Sequence, residues 1–231
     1  MQKDHIFRIA SMTKPIISAG VMFLYEEGKF LLDDPISKYI SEFKNPRVLD
    51  KYNAADTTYT TKPAKREITI RDLLSHISGI GYAQIGSGEA NAIYYKHGIN
   101  GGIGTPHSSL KDIIPRLAKL PLFNNPGEAY LYGLNTDVLG YFIEVISGMP
   151  LDKFLQQRLF DPLGMKDTYF FLPTSKKNRL VPLYKINGPS QIKIQDSIIP
   201  LNGTFLRDFP NTIGGSYFSG GAGLSSTAYD Y

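Results

Sequence analysis

The chain is 231 residues long, 42% hydrophobic and 20% charged, which supplies apolar material for a sizeable core and describes a single globular domain. It contains no cysteine, so disulfides, thiolate metal sites and cysteine nucleophiles are excluded. A net charge of +4, spread without a basic run, implies no nucleic-acid partner, and charged residues or prolines interrupt every apolar stretch before the roughly 20 residues that a membrane-spanning helix needs.

In chain order, Ile6-Phe7-Arg8-Ile9 reads as a short strand. Residues 1–10 hold no apolar segment long enough for a signal peptide, and the compartment stays unknown. Residues 11–25 are apolar nearly all round and stop at Glu26-Glu27-Gly28-Lys29, which describes a buried helix with glycine at its C-cap. Pro15 falls in or just after its first turn, where a missing N–H costs little. Asp33-Asp34-Pro35 closes a short connection. Thr69-Ile70-Arg71-Asp72 has the spacing of a capping box and opens a short helix that ends by Ser78-Gly79. Ser109-Leu110-Lys111-Asp112 repeats that signature and starts a helix toward Leu120, with an irregularity expected at Pro115. Leu134, Val138, Leu139, Phe142, Ile143 and Ile146 keep helical spacing up to Gly148. Leu151, Phe154, Leu155 and Leu159 do the same up to Pro162-Leu163-Gly164. Further strands are expected at residues 168–171 and 191–195, so the chain reads as mixed α/β with a mostly helical middle. The glycine-rich stretches at 98–104 and 220–223 lack the Lys-Ser or Lys-Thr of a phosphate cradle and read as turns.

The spacing Ser-x-x-Lys places a hydroxyl and an amine one helical turn apart, close enough for proton transfer. It occurs four times, at Ser11/Lys14, Ser41/Lys44, Ser108/Lys111 and Ser190/Lys193, so the string itself identifies nothing. Context separates the pairs. The last three lie in polar or amphipathic surroundings where lysine faces water, whereas Lys14 is the single charged residue in the stretch from 11 to 25. Burial lowers the proton affinity of an ammonium, which is how lysine becomes a base near neutral pH. A first-turn lysine snorkelling to solvent is the competing reading on these residues alone. The four histidines have no metal-ligand spacing, and no metal or other cofactor is expected; His76 reads as a packing histidine.

A family resemblance supplies more. Phe7-Arg8-Ile9-Ala10-Ser11-Met12-Thr13-Lys14-Pro15-Ile16, followed by Glu27-Gly28-Lys29 and Leu32-Asp33-Asp34-Pro35-Ile36, resembles the first motif of the serine β-lactamase and D-alanyl peptidase family, in its class C-like branch, which includes carboxylesterases. Ile68 to Gly79, Pro126-Gly127, Asp137-Val138-Leu139-Gly140, Asp161 to Thr168 and Gly220 to Thr227 resemble later family segments in the same order. The resemblance implies an α+β, β-lactamase/transpeptidase-like fold: an antiparallel sheet flanked by helices, with a helical lobe over about residues 36–205, inside one domain spanning 1–231. It implies acylation of Ser11 by a small-molecule ester, amide or β-lactam, with Lys14 as general base and Tyr132, in Tyr132-Gly133-Leu134-Asn135, sharing the proton; Tyr130 is the nearest rival for that role. Leu134 and Asn135 are the candidate substrate-binding positions.

Two departures qualify what the resemblance implies. The family's Tyr-x-Asn is absent, with Leu134 at the asparagine position and Asn135 one residue late; since that asparagine would bind a substrate amide, the replacement points toward ester substrates. The third family motif, Lys-Thr-Gly or a variant, has no match after Tyr132, and Lys96-His97-Gly98 precedes the second motif and reads as a decoy. The chain is therefore expected to be truncated at both ends, with an incomplete sheet. A second functional reading follows, a non-catalytic or impaired member that binds peptidoglycan fragments in the same cleft. The oligomeric state is not legible.

Overall fold

Val138, Leu139, Phe142 and Ile143 recur at helical spacing and are all fully buried, which makes the helix that carries them the centre of the molecule. A computed structural model of the chain describes residues 2–83, 85–99, 108–186, 192–194 and 215–231. In chain order the elements are β1 (Phe7–Arg8), α1 (Thr13–Glu26), β2 (Arg47–Asn53), β3 (Thr58–Pro63), α2 (Ile70–Leu74), α3 (Gly88–Lys96) and α4 (Leu110–Leu117). They continue as α5 (Asn135–Ser147), α6 (Leu151–Leu155), α7 (Asp161–Leu163), β4 (Tyr184–Ile186), β5 (Ile192–Ile194) and β6 (Ser225–Ser226). Helices α1, α2, α4 and α6 all pack on α5. Phe30 and Tyr39 meet Phe142 edge-on, with ring centroids 5.0 and 5.2 Å away.

Both expected capping boxes are present. The Thr69 hydroxyl accepts from the Asp72 amide at 3.1 Å while the Asp72 carboxylate accepts from the Thr69 amide at 2.9 Å, and Ser109 and Asp112 repeat the exchange. Arg66 adds two hydrogen bonds to the same buried Asp72 carboxylate, holding it below its ordinary pKa against the opposing effect of burial. Thr69→Ala is expected to lower stability by about 1 kcal/mol, read from the urea midpoint, because it leaves an α2 amide without its acceptor.

Several boundaries differ from expectation. The first helix begins at Thr13, and Ser11 lies on a 3-10 turn, Ala10–Met12, which feeds into it. That helix is not buried all round: Pro15 is exposed and Ala19 half-buried, beside a groove of about 330 Å³. Helix α4 runs through Pro115 without a break and ends at Leu117. The expected strand at 168–171 is reduced to a single bridge, Tyr169 to Ser225, because Phe170 and Phe171 pack against Phe218 instead of joining a ladder. In the third expected strand, Ile192–Ile194 pairs with Tyr184–Ile186, and Gln191 and Gln195 lie outside the described residues. The hairpin β2–β3 interrupts the expected helical middle. Among the described residues the strands form three two-stranded antiparallel ladders, β1–β6, β2–β3 and β4–β5, where one antiparallel sheet was expected. None of the described helices is long and apolar enough to cross a membrane.

Candidate active site

Four segments distant in sequence converge at the head of α1. Ile9 donates its amide to the Leu224 carbonyl at 3.0 Å, and the Leu224 amide donates to the buried Thr13 hydroxyl at 3.1 Å, so residues on either side of Ser11 are clamped to the segment that carries β6. Ala10 stands at φ 44°, a left-handed conformation that an L-residue with a side chain adopts only when its surroundings impose it. The sharp bend leaves Ser11 exposed while Lys14, one turn on, is 9% exposed.

Tyr132 arrives on a strap laced to residues 76–81. Leu131 donates its amide to the His76 carbonyl at 2.8 Å and Leu134 donates to the Gly81 carbonyl at 3.0 Å. A β-carbon at Gly133 would stand 1.9 Å from the Ile80 carbonyl oxygen, so only glycine lets the strap lie this close. The result is a triangle of polar atoms. Ser11 Oγ lies 2.6 Å from the Tyr132 hydroxyl, Lys14 Nζ lies 2.6 Å from that hydroxyl, and Lys14 Nζ lies 3.2 Å from Ser11 Oγ. Lys14 Nζ also donates to the Gly221 carbonyl at 2.7 Å and reaches the Tyr82 hydroxyl at 3.4 Å. Its ammonium stands 4.5 Å from the Tyr132 ring centroid, a cation–π contact.

The structure thus brings together Ser11, Lys14 and Tyr132. Tyr130, the rival, is 67% exposed and touches His76 instead. The other two positions fall elsewhere. Leu134 is fully buried in the core, and Asn135 is fully buried with its oxygen accepting from Ser78 Oγ at 2.5 Å and its nitrogen 3.0 Å from His76 Nδ1. Neither side chain presents surface to a substrate, because both lie where the strap enters α5. Of the remaining Ser-x-x-Lys pairs, Ser41/Lys44 is exposed, Lys111 is exposed, and Ser190 lies outside the described residues. Lys96 and His97 of the decoy meet Thr57 and Tyr59 on the far hairpin.

His76 packs its ring on Tyr132, with centroids 5.3 Å apart and planes 20° from parallel. Burial, aided by the Lys14 charge, pulls its pKa from 6.5 down to about 4, so the ring is neutral at pH 7 and Nδ1 can accept from Asn135. Between those two pH values the unfolded chain binds the proton and the folded one does not, so stability falls as pH is lowered through that window. His76→Gln is expected to make the acid slope of the thermal midpoint shallower over that range, with little change above pH 7.

Three contributors carried no legible signal of their role. Tyr82 is one of fifteen tyrosines and sits on a loop without periodicity. Gly221 contributes a carbonyl, which no side chain advertises. Asp137 sits fully buried in the first turn of α5, accepting from Ser219 Oγ at 2.9 Å and the Tyr217 hydroxyl at 3.3 Å. Burial raises its pKa, an effect opposed by the Ser219 hydrogen bond and the Lys14 charge. Burial, then Asp137 and Tyr132, push the Tyr82 phenol well above its ordinary value. Among the described residues no group of three or more His, Asp or Glu side chains is arranged to hold a metal ion.

Comparison with known proteins settles the family. The Beta-lactamase family model matches residues 1–231. This chain belongs to the beta-lactamase family. It is 35% identical over 232 residues to protein Rv1367c of Mycobacterium tuberculosis, covering 100% of this chain and 53% of that protein. It is 34% identical over 236 residues to esterase EstB of Burkholderia gladioli, covering 100% of this chain and 56% of EstB. The structure of EstCE1, described as a hydrolase with promiscuous acyltransferase activity, superposes with a TM-score of 0.79 at 28% identity, over 100% of this chain and 57% of that one. The fold of this beta-lactamase-family chain is β-lactamase/transpeptidase-like, mixed α/β, as the resemblance implied. The chain spans about half the length of the curated relatives it matches.

Proposed function

We propose that the protein is a metal-independent serine hydrolase that forms an acyl-enzyme on Ser11, with carboxylic esters as its substrates. The observation that carries this reading is the triangle of Ser11, Lys14 and Tyr132, with sides of 2.6, 2.6 and 3.2 Å. Ser11 Oγ attacks the ester carbonyl while its proton passes to the Lys14–Tyr132 pair, and the pair returns a proton to the departing alkoxide. A water molecule, deprotonated by the same pair, then attacks the acyl group and restores Ser11. The phenol oxygen serves in this relay because it stands within hydrogen-bond reach of both Ser11 Oγ and Lys14 Nζ. Tyr132 is the short link between nucleophile and lysine, so proton transfer needs no displacement of heavy atoms.

Two features favour esters over amides and β-lactams. The position where amide-recognising relatives place an asparagine is Leu134, whose side chain is fully buried and has no amide to offer. EstB and EstCE1 are named as esterase and hydrolase. The direct test is a fluorophosphonate probe followed by peptide mass spectrometry. Label on Ser11, with p-nitrophenyl ester hydrolysed well ahead of the corresponding anilide and of a chromogenic cephalosporin, is expected. Turnover with Ser11 unlabelled and another serine modified would overturn the reading.

A further inference from the structure

His76 follows the last turn of α2 in a left-handed conformation, φ 56°, at a position where a helix most often takes glycine. A residue with a side chain is strained there, so the side chain calls for a reason. The structure supplies one in Tyr132. The His76 carbonyl accepts the Leu131 amide at 2.8 Å, one residue before Tyr132, and His76 Nδ1 accepts from the Asn135 side-chain amide at 3.0 Å, three residues after it. His76 thus grips the strap on both sides of the tyrosine and lays its ring along the phenol ring between them, with planes 20° from parallel. Asn135 is fixed in its turn. Ser78 Oγ donates to its Oδ1 at 2.5 Å, the Ile80 amide donates to Ser78 Oγ at 3.1 Å, and both Ser78 and Asn135 are fully buried. An amide nitrogen can only donate, so Nδ1 is the acceptor and the neutral imidazole carries its proton on Nε2.

The plane of a tyrosine ring is not set by its own backbone, because the outer side-chain torsion is broad. That plane matters to a proton relay: conjugation keeps the hydroxyl hydrogen and an acceptor lone pair of a phenol near the ring plane, so the plane decides whether they aim at their partners. For Tyr132 those partners are Ser11 Oγ and Lys14 Nζ, each 2.6 Å away. Two rings touch Tyr132 among the described residues. Tyr82 is tilted by 42°, and His76 is the one that lies nearly parallel. We propose that His76 is the positioning residue of Tyr132, an imidazole platform anchored by Asn135 and Ser78 that sets the plane of the phenol and aims its hydroxyl at Ser11 and Lys14. This rests on the reading of Ser11, Lys14 and Tyr132 as the reacting groups. Among the described residues no hydrogen bond joins the His76 ring to Ser11 or Lys14, so it acts through Tyr132 and stays outside the proton path. Burial, with Lys14 nearby, holds the ring uncharged at neutral pH, and the platform brings no second cation to the site. Asn135, turned away from substrate, serves the site from within the core.

The test compares two substitutions at neutral pH. His76→Gln removes the ring and keeps an oxygen able to accept from Asn135, whereas His76→Phe keeps a flat ring and gives up the acceptor. Both place the same demand on the left-handed backbone and both retain the carbonyl that binds Leu131, so the difference between them reads the ring. In His76→Gln, kcat and kcat/KM for a p-nitrophenyl ester are expected to fall together by about tenfold or more with KM unchanged, since a misplacement of about 1 Å costs on the order of 100-fold. His76→Phe is expected to recover at least about threefold of that loss. A Gln variant within about threefold of the parent, a loss confined to KM, or a Phe variant no faster than the Gln variant would overturn the proposal. Proton–carbon NMR of ring-labelled tyrosine needs no turnover. In the parent, Tyr132, assigned by the signal missing from Tyr132→Phe, is expected to have ring protons upfield of those of the exposed Tyr229, a displacement kept in His76→Phe and reduced in His76→Gln. Tyr132 signals at the position of Tyr229 in the parent would overturn the proposal even where neither His76 variant folds, and so would signals unmoved in His76→Gln. Because the ring signal decides on His76 whether or not the fluorophosphonate labels Ser11, failure of this inference and failure of the hydrolase reading are separate results.

Discussion

Ser11→Ala is expected to reduce ester hydrolysis by about 10⁴-fold or more and to abolish fluorophosphonate labelling while leaving the fold intact. The size of the effect follows from what is removed. Nucleophilic catalysis divides one difficult step into two easier ones, and without Oγ neither the attack nor the intermediate exists. The fold should be indifferent because Ser11 is exposed on a 3-10 turn, and its Oγ meets only Lys14 and Tyr132 among the described residues. A midpoint of denaturation within about 0.5 kcal/mol of the parent is the accompanying expectation, the usual range for a surface substitution. Residual activity above about one hundredth of the parent would place the nucleophile elsewhere.

Lys14→Met is expected to lower kcat/KM by about 10³-fold, within the range that general-base catalysis contributes, with the near-ultraviolet circular dichroism of the parent retained. Methionine matches the length of the lysine stem, so the packing along α1 is kept, while the Gly221 carbonyl and the Tyr132 phenol lose the donor that joins them. Replacing a buried charged side chain by a well-packed apolar one of similar volume is often neutral for stability. A variant that unfolds would instead show that the ammonium is required to hold residues 219–221 against α5. A folded variant with more than about a tenth of the parental rate would remove Lys14 from the proton path.

How much of this could be read beforehand depends on whether the cause of a feature is local. The two capping boxes and the periodicity of α5 were legible because each is set by residues within a turn or two of one another, and the structure forms them as expected. The β2–β3 hairpin was not legible because most of its residues face water on both sides, so the period-two alternation that marks a half-buried strand is missing; Val48 is its one buried position. Helix α3 was missed for a similar reason, with only Ala90, Ile93 and Tyr94 buried along its length, although Ser87 caps it through the Ala90 amide. The aromatic run at 168–171 has strand propensity, yet its side chains bury against Phe218 and the backbone pairs once, an instance of packing overriding propensity. At the site, Ser11, Lys14 and Tyr132 came from motif strings. Asp137, Tyr82 and Gly221 become neighbours only through tertiary convergence, and Leu134 and Asn135 were assigned to the cleft although the strap turns them inward.

The clamp of Lys14 to Gly221 joins residues 207 positions apart, and the Ser11–Tyr132 contact joins residues 121 apart. Pairings that span such separations form slowly, because a long loop must close before the contact rewards it. During synthesis, the head of α1 leaves the ribosome well before the Tyr132 strap, and the glycine that fixes the lysine follows almost at the end of this stretch. Until then Lys14, though only three residues from Ser11, lacks the Tyr132 and Gly221 partners that hold its amine in place. Chemical reactivity at Ser11 is therefore a timer of maturation: the rate at which the probe begins to label a refolding sample follows the closure of these long-range contacts, not the formation of α1.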